Sequence, residues 1–578
     1  MTMLKSIIKN FSDVGIDVDN EVATRCIQLC SKYGLNENEI VDQWLAFSVS
    51  SEDDSISIEK LNLMEKKELL KSCNVENFPN VRASPAADAK ENILNENGNN
   101  PVSANSKDTR FKYNVRSPRA LFSPTSFSPA SYANSKKYAD RTNSGNIVCR
   151  FGMDVDLESW KTFLYETHDI KIDDEFTPIP CNVRFMFETT NDRIQTSKKL
   201  IESVCAQIAE SHDIKFSEEI NQISMEKTTY AGRIICDSNG KLNTSSILLE
   251  SCVLNKRIRN IKLQMSEVPE YSLFPGQIVL VEGKNPVGDK IIAEKIHTDV
   301  LLSKCPAPKI FLNPTTPLKL IVSAGPYTLS NTLSYQPLFD LRDYVLQHKP
   351  HVVILIGPII DCLHPNVVDN SINIPFSDFY FSLIKDFVNA IKNEKIHTEV
   401  VVVSNWREAG HKNLYPTPAV VPRKEFNYPN LTFVPDPCVL NISGFLIGVT
   451  STDILMHLGK EELFCSTVGP GLDRLGRLAS HIFQQRNFYP LFPAAEEMTV
   501  DLTLTSEYAQ IPYIPHMIIL PSDLRYFIKN IKGCIVVNPE KLSKGMIGGN
   551  FARIEVRSVS GDETWTTETH VTVQIVKI

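Results

Sequence analysis

The sequence lacks the features that identify several common classes of protein. Its 13 cysteines include no C-x-x-C pair and no Cys/His cluster with zinc-finger spacing, so we expect reduced thiols in an intracellular protein. No stretch is apolar over the roughly 20 residues that a membrane span requires, and Lys5, Lys9 and Asp13 interrupt the start of the chain too early for a signal peptide. The net charge of -8 is unlike that of a wholly basic nucleic-acid-binding protein, although it allows a local basic groove.

The residues that are present divide the chain into four segments, and the first of them, residues 1–73, has helical periodicity. Val22, Cys26 and Leu29 fall on one helical face, and Gly34 follows as a helix-ending signal. We therefore expect a small helical bundle in this segment. Because it contains no evident catalytic group, it is predicted to dock partner proteins, and the alternative is a merely structural cap on the chain.

Residues 74–145 are rich in Asn, Ser, Ala and Pro, and their hydrophobic residues show no period. This composition predicts a disordered linker. Ser-Pro pairs recur in it, as proline-directed kinases require, and each phosphate would add about -1.5 to -2 charges to a locally basic segment. The candidate phosphorylation sites are Ser84, Ser117, Ser123 and Ser128.

Residues 146–310 change to short strands with tight turns, which predict a small β-barrel of the OB-fold kind. A strand at Tyr230–Cys236 is followed by Asn239-Gly240, a strong hairpin signal. Phe274-Pro-Gly-Gln turns a corner before the next apolar strand. A helix near residues 197–212 is expected to pack beside the barrel.

An OB barrel also raises the alternative of a protein that binds single-stranded nucleic acid. A basic cluster lies on or next to the predicted strands, but the aromatic residues on which bases would stack are sparse there. We therefore expect weak DNA contact at most, and we favour a solvated or protein-facing basic edge. The cluster consists of Lys256, Arg257, Arg259 and Lys262.

Residues 311–578 alternate apolar strands with amphipathic helices, a pattern that predicts layered sheets with helices on the outside. Clear strands lie at Leu318–Ser323, Val352–Ile356 and Val400–Val403, and a last strand at Val571–Ile575 is expected to close a sheet edge. The whole chain is therefore predicted to be a multidomain α+β protein.

The ends of these strands resemble those of a calcineurin-like metallophosphoesterase from which the metal ligands have been removed. Such an enzyme holds two metal ions about 3.5–4 Å apart through D-x-H, G-D-x-x-D, G-N-H and G-H-x-H motifs. Asp361 survives, but at the outer, non-bridging position of its motif. Because Ala and Pro cannot coordinate a metal, we predict an inactive phosphoesterase-like domain without metal, cofactor or catalytic residues. The former metal-site positions hold Ala324, Pro326, Pro358, Asn405, Trp406, Ser522 and Leu524.

Three histidines of the last segment, His411, His457 and His516, are candidates for a rebuilt metal site. A lone histidine is more often a structural residue, so a divergent metal-dependent phosphoesterase is the least favoured alternative. No G-x-S-x-G elbow and no P-loop occurs in the sequence.

Long strings of the sequence resemble one family closely, the accessory B subunits of the DNA polymerase alpha–primase complex. The resemblance covers nearly the whole chain, whereas the B subunits of the delta and epsilon polymerases share the OB and phosphoesterase-like domains but not this linker and N-terminal module together. Glu540 stands where a Gly is usual in the family, a difference that affects one turn. The matching strings include Leu29-Cys-Ser-Lys-Tyr-Gly-Leu, Leu121-Phe-Ser-Pro-Thr-Ser-Phe-Ser-Pro, Tyr271-Ser-Leu-Phe-Pro-Gly-Gln, Gln485-Arg-Asn-Phe-Tyr-Pro-Leu-Phe-Pro and Pro521-Ser-Asp-Leu-Arg-Tyr-Phe.

The resemblance implies a non-catalytic scaffold protein with a nuclear role in initiating DNA replication and primer synthesis. It implies that the OB domain, within 146–310, and the phosphoesterase-like domain, 311–578, clasp the C-terminal, zinc-binding domain of the polymerase catalytic subunit and link it to the primase subunits. It also implies that the N-terminal module docks other replisome factors and that the linker is phosphorylated through the cell cycle.

Overall fold

The computed structural model of the chain describes residues 18–33, 61, 138–152, 169–217, 219–238, 240–251, 258–308, 317–426, 428–466, 473–558 and 565–578. The chain divides into two compact units, residues 1–115 and residues 116–578. Among the described residues, no helix is long and apolar enough to cross a membrane.

The helices begin where an amphipathic sequence follows a capping side chain, as at Asp453, Asp473 and Asp501, whose carboxylates each accept a hydrogen bond from a backbone N–H of the first turn. The helices are α1 (Asn20–Tyr33), α2 (Thr190–His212), α3 (Gln336–His348), α4 (Pro365–Val368), α5 (Phe376–Asn393), α6 (Ile454–Glu461), α7 (Arg474–Gln484), α8 (Leu502–Tyr508) and α9 (Thr567–His570).

The strands are β1 (Ile147–Phe151), β2 (Ile170–Ile172), β3 (Ser224–Cys236), β4 (Ile247–Ser251), β5 (Arg259–Gln264), β6 (Glu270–Leu273), β7 (Ile278–Asn285), β8 (Lys290–His297), β9 (Leu318–Ala324), β10 (Val352–Ile356), β11 (Glu399–Val403), β12 (Leu431–Val434), β13 (Cys438–Ile442), β14 (Phe445–Val449), β15 (Leu463–Ser466), β16 (Met517–Ile519), β17 (Phe527–Ile531), β18 (Cys534–Asn538), β19 (Ser543–Lys544), β20 (Ile547–Gly548), β21 (Asn550–Val556) and β22 (Val571–Lys577).

In the first unit, helix α1 follows Asp19, whose carboxylate accepts a hydrogen bond from Val22 N at 2.9 Å. Cys26 is buried on this helix, as the periodicity predicts, and burial raises the pKa of its thiol to about 12. It therefore acts as a small apolar side chain. Apart from Leu61, the rest of the predicted bundle lies outside the described residues, so the bundle stays a prediction.

Five strands of the second unit close into a barrel in the order β3-β4-β5-β8-β7, and β7 pairs back onto β3. The predicted hairpin joins β3 to β4, with Cys236 opposite Ile247. Alternate side chains point inward, and Tyr230, Leu249 and Leu263 are enclosed there without exposure to solvent. The predicted barrel is confirmed.

Helix α2 packs against the outside of this barrel, where Ile201 contacts the cluster that includes Leu280. The helix begins at Thr190 rather than near residue 197. The reason is a capping box in which Thr189 and Asp192 each accept a hydrogen bond from the other's backbone N–H, at 3.2 and 2.9 Å.

Two mixed sheets stack face to face beside the barrel. The first has the strand order β1-β22-β21-β9-β10-β11-β12, and the second has the order β17-β18-β16-β14-β13-β2. One apolar cluster fills the space between them, with Val322 and Ile354 from the first sheet and Ile447 from the second. Helices α3 and α5 cover the outer face of the first sheet, and α6 and α7 pack with the second. Sheets with helices on the outside are therefore confirmed.

The last strand does not close a sheet edge, and that prediction was wrong. β22 lies between β1 and β21, with Val573 opposite Phe151 on one side and Ile554 on the other. The edge strand β1 stands far earlier in the chain, so periodicity alone could not reveal this pairing. β1 and β2 fall within the range 146–310 predicted for the OB domain, yet they pair with β22 and β13 of the two sheets.

The predicted linker, 74–145, was extended too far at its end. Tyr138 is 4% exposed, and its hydroxyl donates a hydrogen bond to Asp340 Oδ2 at 2.6 Å. Residues 138–145 are therefore part of the folded second unit, to which Arg141 also binds through Asp340 and Ile578 O. Residues 74–137 lie outside the described residues.

Candidate functional site

The carboxyl ends of three parallel strands meet at one edge of the first sheet. β10 lies between β9 and β11, with Ile356 opposite Ala324 on one side and Val403 on the other. The residues that follow these strands therefore lie side by side, at the place where open α/β sheets usually bind their ligands. We call this place the strand-end edge.

The loops after β9 and β10 are in direct contact at the strand-end edge. A Cβ atom at Gly325 would lie 2.1 Å from Pro358 O, and a Cβ atom at Gly357 would lie 2.8 Å from Asn405 Cβ, so both positions require glycine. Pro326 and Pro358 follow these glycines and offer no coordinating side-chain atom. The loops that were aligned with the metal-binding motifs are thus packed closely against one another.

Asn405 is present at the edge, but its amide is bonded to the backbone. Its Nδ2 donates hydrogen bonds to Gly357 O at 3.1 Å and Ser451 O at 3.2 Å, and its Oδ1 accepts one from Arg407 N at 2.7 Å. The neighbouring Trp406 is half-buried against the core between the sheets. The amide therefore ties separate segments of the fold together.

Asp361 is paired with a cation of the protein itself. Its Oδ1 accepts a hydrogen bond from Arg407 Nε at 3.1 Å, and its Oδ2 lies against Arg407 Nη2. Burial alone would lower the pKa of Arg407, but the attraction of Asp361 outweighs burial and raises that pKa. This two-pronged pairing neutralises the surviving carboxylate where it stands.

Glu408 is a residue of the strand-end edge that sequence reasoning missed. Its buried carboxylate accepts hydrogen bonds from Ile359 N and Ile360 N, both at 2.7 Å, and so fixes the loop after β10. Burial raises the pKa of Glu408 to about 8, although the two hydrogen bonds act in the opposite direction. In the sequence, the signal that could have identified Glu408 was an acidic residue shortly after Asn405, between two apolar segments.

The loop that carries Ser522 and Leu524 is held by neighbouring side chains. Ser522 N donates to Asn538 Oδ1 at 3.0 Å, and Asn538 Nδ2 donates to Leu524 O at 3.1 Å. Between them, Asp523 N donates to Asp453 Oδ2 at 2.7 Å. Sequence reasoning identified neither Asn538 nor Asp453, because each acts on a loop distant from it in the chain.

The three candidate histidines do not converge, and each has a local partner. His411 Nε2 lies 3.0 Å from Pro418 O, and His457 Nδ1 lies 3.1 Å from the Tyr489 hydroxyl. His516 Nδ1 accepts a hydrogen bond from a backbone N–H, and burial lowers its pKa to about 4. Within the described ranges, no group of three or more His, Cys, Asp or Glu side chains is placed to hold a metal ion.

A second set of contacts fixes the barrel against the sheets, and we call it the barrel junction. β6 pairs with β15, and the Gln485 amide both accepts a hydrogen bond from Ile278 N at 2.8 Å and donates one to Ile278 O at 3.0 Å. Gly276 has a φ of 97°, and a Cβ atom there would lie 2.4 Å from Phe492 N. The Phe-Pro-Gly-Gln corner thus lies directly against the segment 485–493.

Glu462 is the buried carboxylate of the barrel junction. It accepts hydrogen bonds from the Ser272 hydroxyl at 2.6 Å and from Arg477 Nε at 2.7 Å, and His481 Nε2 lies 3.6 Å away. Burial opposes ionisation, but the nearby His481 and the hydrogen bonds from Arg477 and Ser272 outweigh it and lower the pKa of Glu462 to about 2. An ionised group therefore links strand β6 to helix α7.

The residues of the predicted basic cluster and the candidate phosphorylation sites lie either on the barrel surface or outside the described residues. Arg259 and Lys262 are exposed on β5, and Lys262 lies opposite Lys290 of β8. Lys256 and Arg257 lie outside the described residues. The same holds for the candidate phosphorylation sites Ser84, Ser117, Ser123 and Ser128.

Comparison with known families matches most of the chain. Residues 5–71 match the N-terminal domain of the DNA polymerase alpha B subunit, residues 195–299 match the OB domain of that protein, and residues 320–529 match the B subunit family of DNA polymerases alpha and epsilon. The DNA polymerase alpha B subunit of Mus musculus is 32% identical over 94% of each chain. The chain belongs to the DNA polymerase alpha B subunit family.

Other members of the DNA polymerase alpha B subunit family are similar over different shares of the chain. That of Drosophila melanogaster is 30% identical over 96% of each chain. That of Saccharomyces cerevisiae is 28% identical and covers 58% of this chain and 54% of its own length. The OB-domain match spans strands β3 to β8, and the alpha/epsilon match includes the loops of the strand-end edge.

Proposed function

We propose that this chain is the non-catalytic accessory subunit of a DNA polymerase alpha–primase complex and acts as a scaffold in replication initiation and primer synthesis. The observation that carries this proposal is the strand-end edge. Its surviving polar side chains, Asp361 and Asn405, are bonded to Arg407 and to the backbone of the fold. Relatives named as the B subunit of DNA polymerase alpha support the assignment to this complex.

We also propose that residues 311–578 have an inactive calcineurin-like metallophosphoesterase fold. Two stacked sheets between helices, with loops converging at the carboxyl ends of β9, β10 and β11, support this interpretation. Ala324, Pro326, Pro358, Trp406 and Leu524 have no carboxylate or imidazole with which to bind a metal ion. The domain would therefore bind partners without turnover.

The proposed partner of the folded second unit is the C-terminal, zinc-binding domain of the polymerase catalytic subunit, and the primase subunits would join through it. The barrel junction supports this role, because Glu462 and Gln485 hold the barrel and sheets together and so give a partner two rigid surfaces. In the nucleus, the N-terminal segment 1–73 would dock other replisome factors. The Ser-Pro sites of the linker would be its phosphorylation sites.

Co-expression of the full chain with the C-terminal domain of the catalytic subunit, followed by size-exclusion chromatography, tests the scaffold proposal. We expect co-elution at a one-to-one ratio. A shortened chain that begins just before Tyr138 should keep the complex, since it retains the described second unit. Separate elution of two folded proteins would contradict the proposal.

A second candidate function, binding of single-stranded nucleic acid, is favoured by one surface of the barrel. Arg259, Lys262 and Lys290 make no ion pair with another described residue, and like charges opposite each other are unfavourable without an anion. Against it, the barrel aromatics Tyr230 and Tyr271 are buried.

Fluorescence anisotropy with a labelled oligothymidylate decides this second function. Tight binding that weakens steeply with salt, and that Lys262→Glu abolishes, would establish it. Absence of binding at low salt would exclude it.

A further inference from the structure

The segment 485–493, one of the strings that mark the family, lines a cavity of about 490 Å³. Helix α2, the barrel corner at Gly276 and helix α8 form the other walls. The lining residues do not include the loops after β9, β10 or β11, so the cavity is separate from the strand-end edge. Its volume is typical of sites that enclose a small ligand or an anchoring side chain.

The walls of the cavity are mainly apolar. Leu200 of α2, Phe492, Val500 and Leu502 all line it, and each remains only half-buried within this chain. Water fills a space of this kind only where it finds polar partners. An apolar group from another molecule would therefore be favoured here, because it removes these half-buried apolar side chains from contact with water.

The polar groups at the cavity are chiefly hydrogen-bond donors. Asn487 Oδ1 accepts a backbone hydrogen bond at 2.8 Å, and its Nδ2 has no partner among the described residues. Arg193 binds Glu188 through Nε at 3.2 Å, and more than half of its side chain is exposed. Glu496, which is exposed, is the acidic side chain at the cavity.

An exposed apolar strip precedes helix α2 and continues to the cavity. Phe187 is 74% exposed and Met186 is 48% exposed. Met186 N donates a hydrogen bond to Asp501 Oδ2 at 2.9 Å, which holds the strip against the start of helix α8, whose Leu502 lines the cavity. Large exposed apolar side chains next to a cavity are typical of a protein interaction site.

Two cations flank this strip without an acidic partner among the described residues. Arg184 lies 5.9 Å from the ring centre of Phe187, and Lys412 lies 4.4 Å from that of Phe185. Both side chains lie next to aromatic surface. The strip and cavity are therefore apolar at their centre, and the cations at the border of the strip are not neutralised by a described acidic residue, whereas Glu496 lies at the cavity.

We infer that the cavity and strip form a docking site for an acidic amphipathic segment of a partner protein. A leucine or aromatic side chain of that segment enters the cavity, and its carboxylates face Arg184, Arg193 and Lys412. The apolar walls match the anchor, the donors and cations match the acidic groups, and both kinds of complementarity are required together. This site lies beside the barrel junction and apart from the strand-end edge, and it goes beyond the proposed scaffold function because it would bind a further partner segment.

Anisotropy titrations of the full chain with three labelled helical peptides of about 16 residues test this inference. The first has a leucine and phenylalanine face with glutamates opposite, the second replaces the glutamates with lysines, and the third replaces the apolar face with serines. We expect the first peptide to bind at least about tenfold more tightly than either of the others. Equal binding of the first and third peptides overturns the inference.

Variants locate the binding of the first peptide. Ala494→Trp fills the cavity and is expected to weaken binding about tenfold, whereas Ala206→Trp, on an exposed position of α2 that does not line the cavity, should leave it unchanged. Thermal unfolding shows whether each variant is folded. If Ala494→Trp unfolds, the double variant Arg184→Glu, Lys412→Glu tests the site instead and is expected to weaken binding of the first peptide. Lys284→Glu, on the barrel, is its control and should leave binding unchanged.

Unchanged peptide binding in the folded variants contradicts the inference. Oligothymidylate that binds with the same sensitivity to these substitutions would also contradict it, because the site would then take a nucleic acid. The peptide titrations and the co-elution with the polymerase catalytic subunit are separate measurements on the same chain, so failure of this inference is distinguishable from failure of the scaffold proposal.

Discussion

Glu408 and Glu462 are buried carboxylates whose surroundings shift their pKa values in opposite directions. Glu408 faces two backbone N–H groups, and burial prevails. Glu462 faces Arg477, His481 and Ser272, and these partners prevail over burial. The identity of the hydrogen-bond donors, rather than burial alone, thus decides the charge of each group at neutral pH.

Replacing Glu408 with Gln should flatten the pH dependence of the free energy of unfolding between about 4.5 and about 8. The folded pKa is raised, so the folded state keeps a proton that the unfolded state loses. Stability from this group is therefore complete below the unfolded pKa and falls as pH rises toward 8, by at most about 1.4 kcal/mol per pH unit. Urea denaturation at several pH values between about 4.5 and about 8 measures the free energy of unfolding of both proteins. Identical pH profiles for the parent and the variant would show the prediction to be wrong.

Replacing Glu462 with Gln should destabilise the second unit by about 3 kcal/mol at neutral pH, since it leaves the largely buried guanidinium of Arg477 without its counter-charge. The folded pKa is lowered, so the contribution of Glu462 is present above about 4.5 and is lost as pH falls toward 2. Denaturant titration provides the measurement. Glu294→Gln, which breaks an exposed pair with Lys284, is the control and should change stability little; equal effects would refute the role of Glu462.

At the scale of elements, the barrel corner depends on one glycine. Gly276→Ala combines an unfavourable positive φ with a Cβ atom that would lie 2.4 Å from Phe492 N, so the corner should separate from segment 485–493. Gly145→Ala is a matched control, because its φ is also positive, at 81°, but nothing lies within 4 Å of the added Cβ.

Limited proteolysis and thermal unfolding distinguish these two glycine variants. We expect Gly276→Ala to become sensitive to cleavage near the barrel junction and to unfold at a lower temperature than Gly145→Ala. If both variants lose the same stability, backbone strain alone explains the effect and the close contact with Phe492 is unimportant.

The elements that the sequence predicts well are those defined by local periodicity. Strand β10 has the predicted bounds, Val352–Ile356, and strands β9 and β11 each differ from the predicted bounds by one residue. Edge strand β1 and the anchor Tyr138 were not identified, because their partners β22 and Asp340 are distant in the chain. Contacts between residues distant in the chain leave no periodic pattern in the local sequence, so they could not be predicted from it.

The candidate site likewise has features that local sequence patterns predict and features that depend on contacts between distant segments. The strand ends at Ala324, Ile356 and Val403 could be aligned with an enzyme pattern because each follows an apolar run. The side chains that hold the resulting loops, Glu408 and Asn538, contact backbone atoms of other segments and leave no spacing to recognise. Sequence thus located the edge, and three-dimensional contacts were needed to explain how it is stabilised.

At the scale of the molecule, the second unit joins a closed barrel to two stacked sheets through the barrel junction. The family models match residues of both parts, at 195–299 and at 320–529. The strand-end edge is held by internal hydrogen bonds and ion pairs, and the role proposed for this unit is to bind a polymerase chain.

Hydrogen exchange of the full chain, alone and with the C-terminal domain of the polymerase catalytic subunit, tests this central claim most directly. We predict slower exchange upon complex formation within residues 169–578, on the barrel and on the sheets, and no change before residue 138. Protection confined to residues before 138, or no protection at all in a mixture of two folded proteins, would contradict the account.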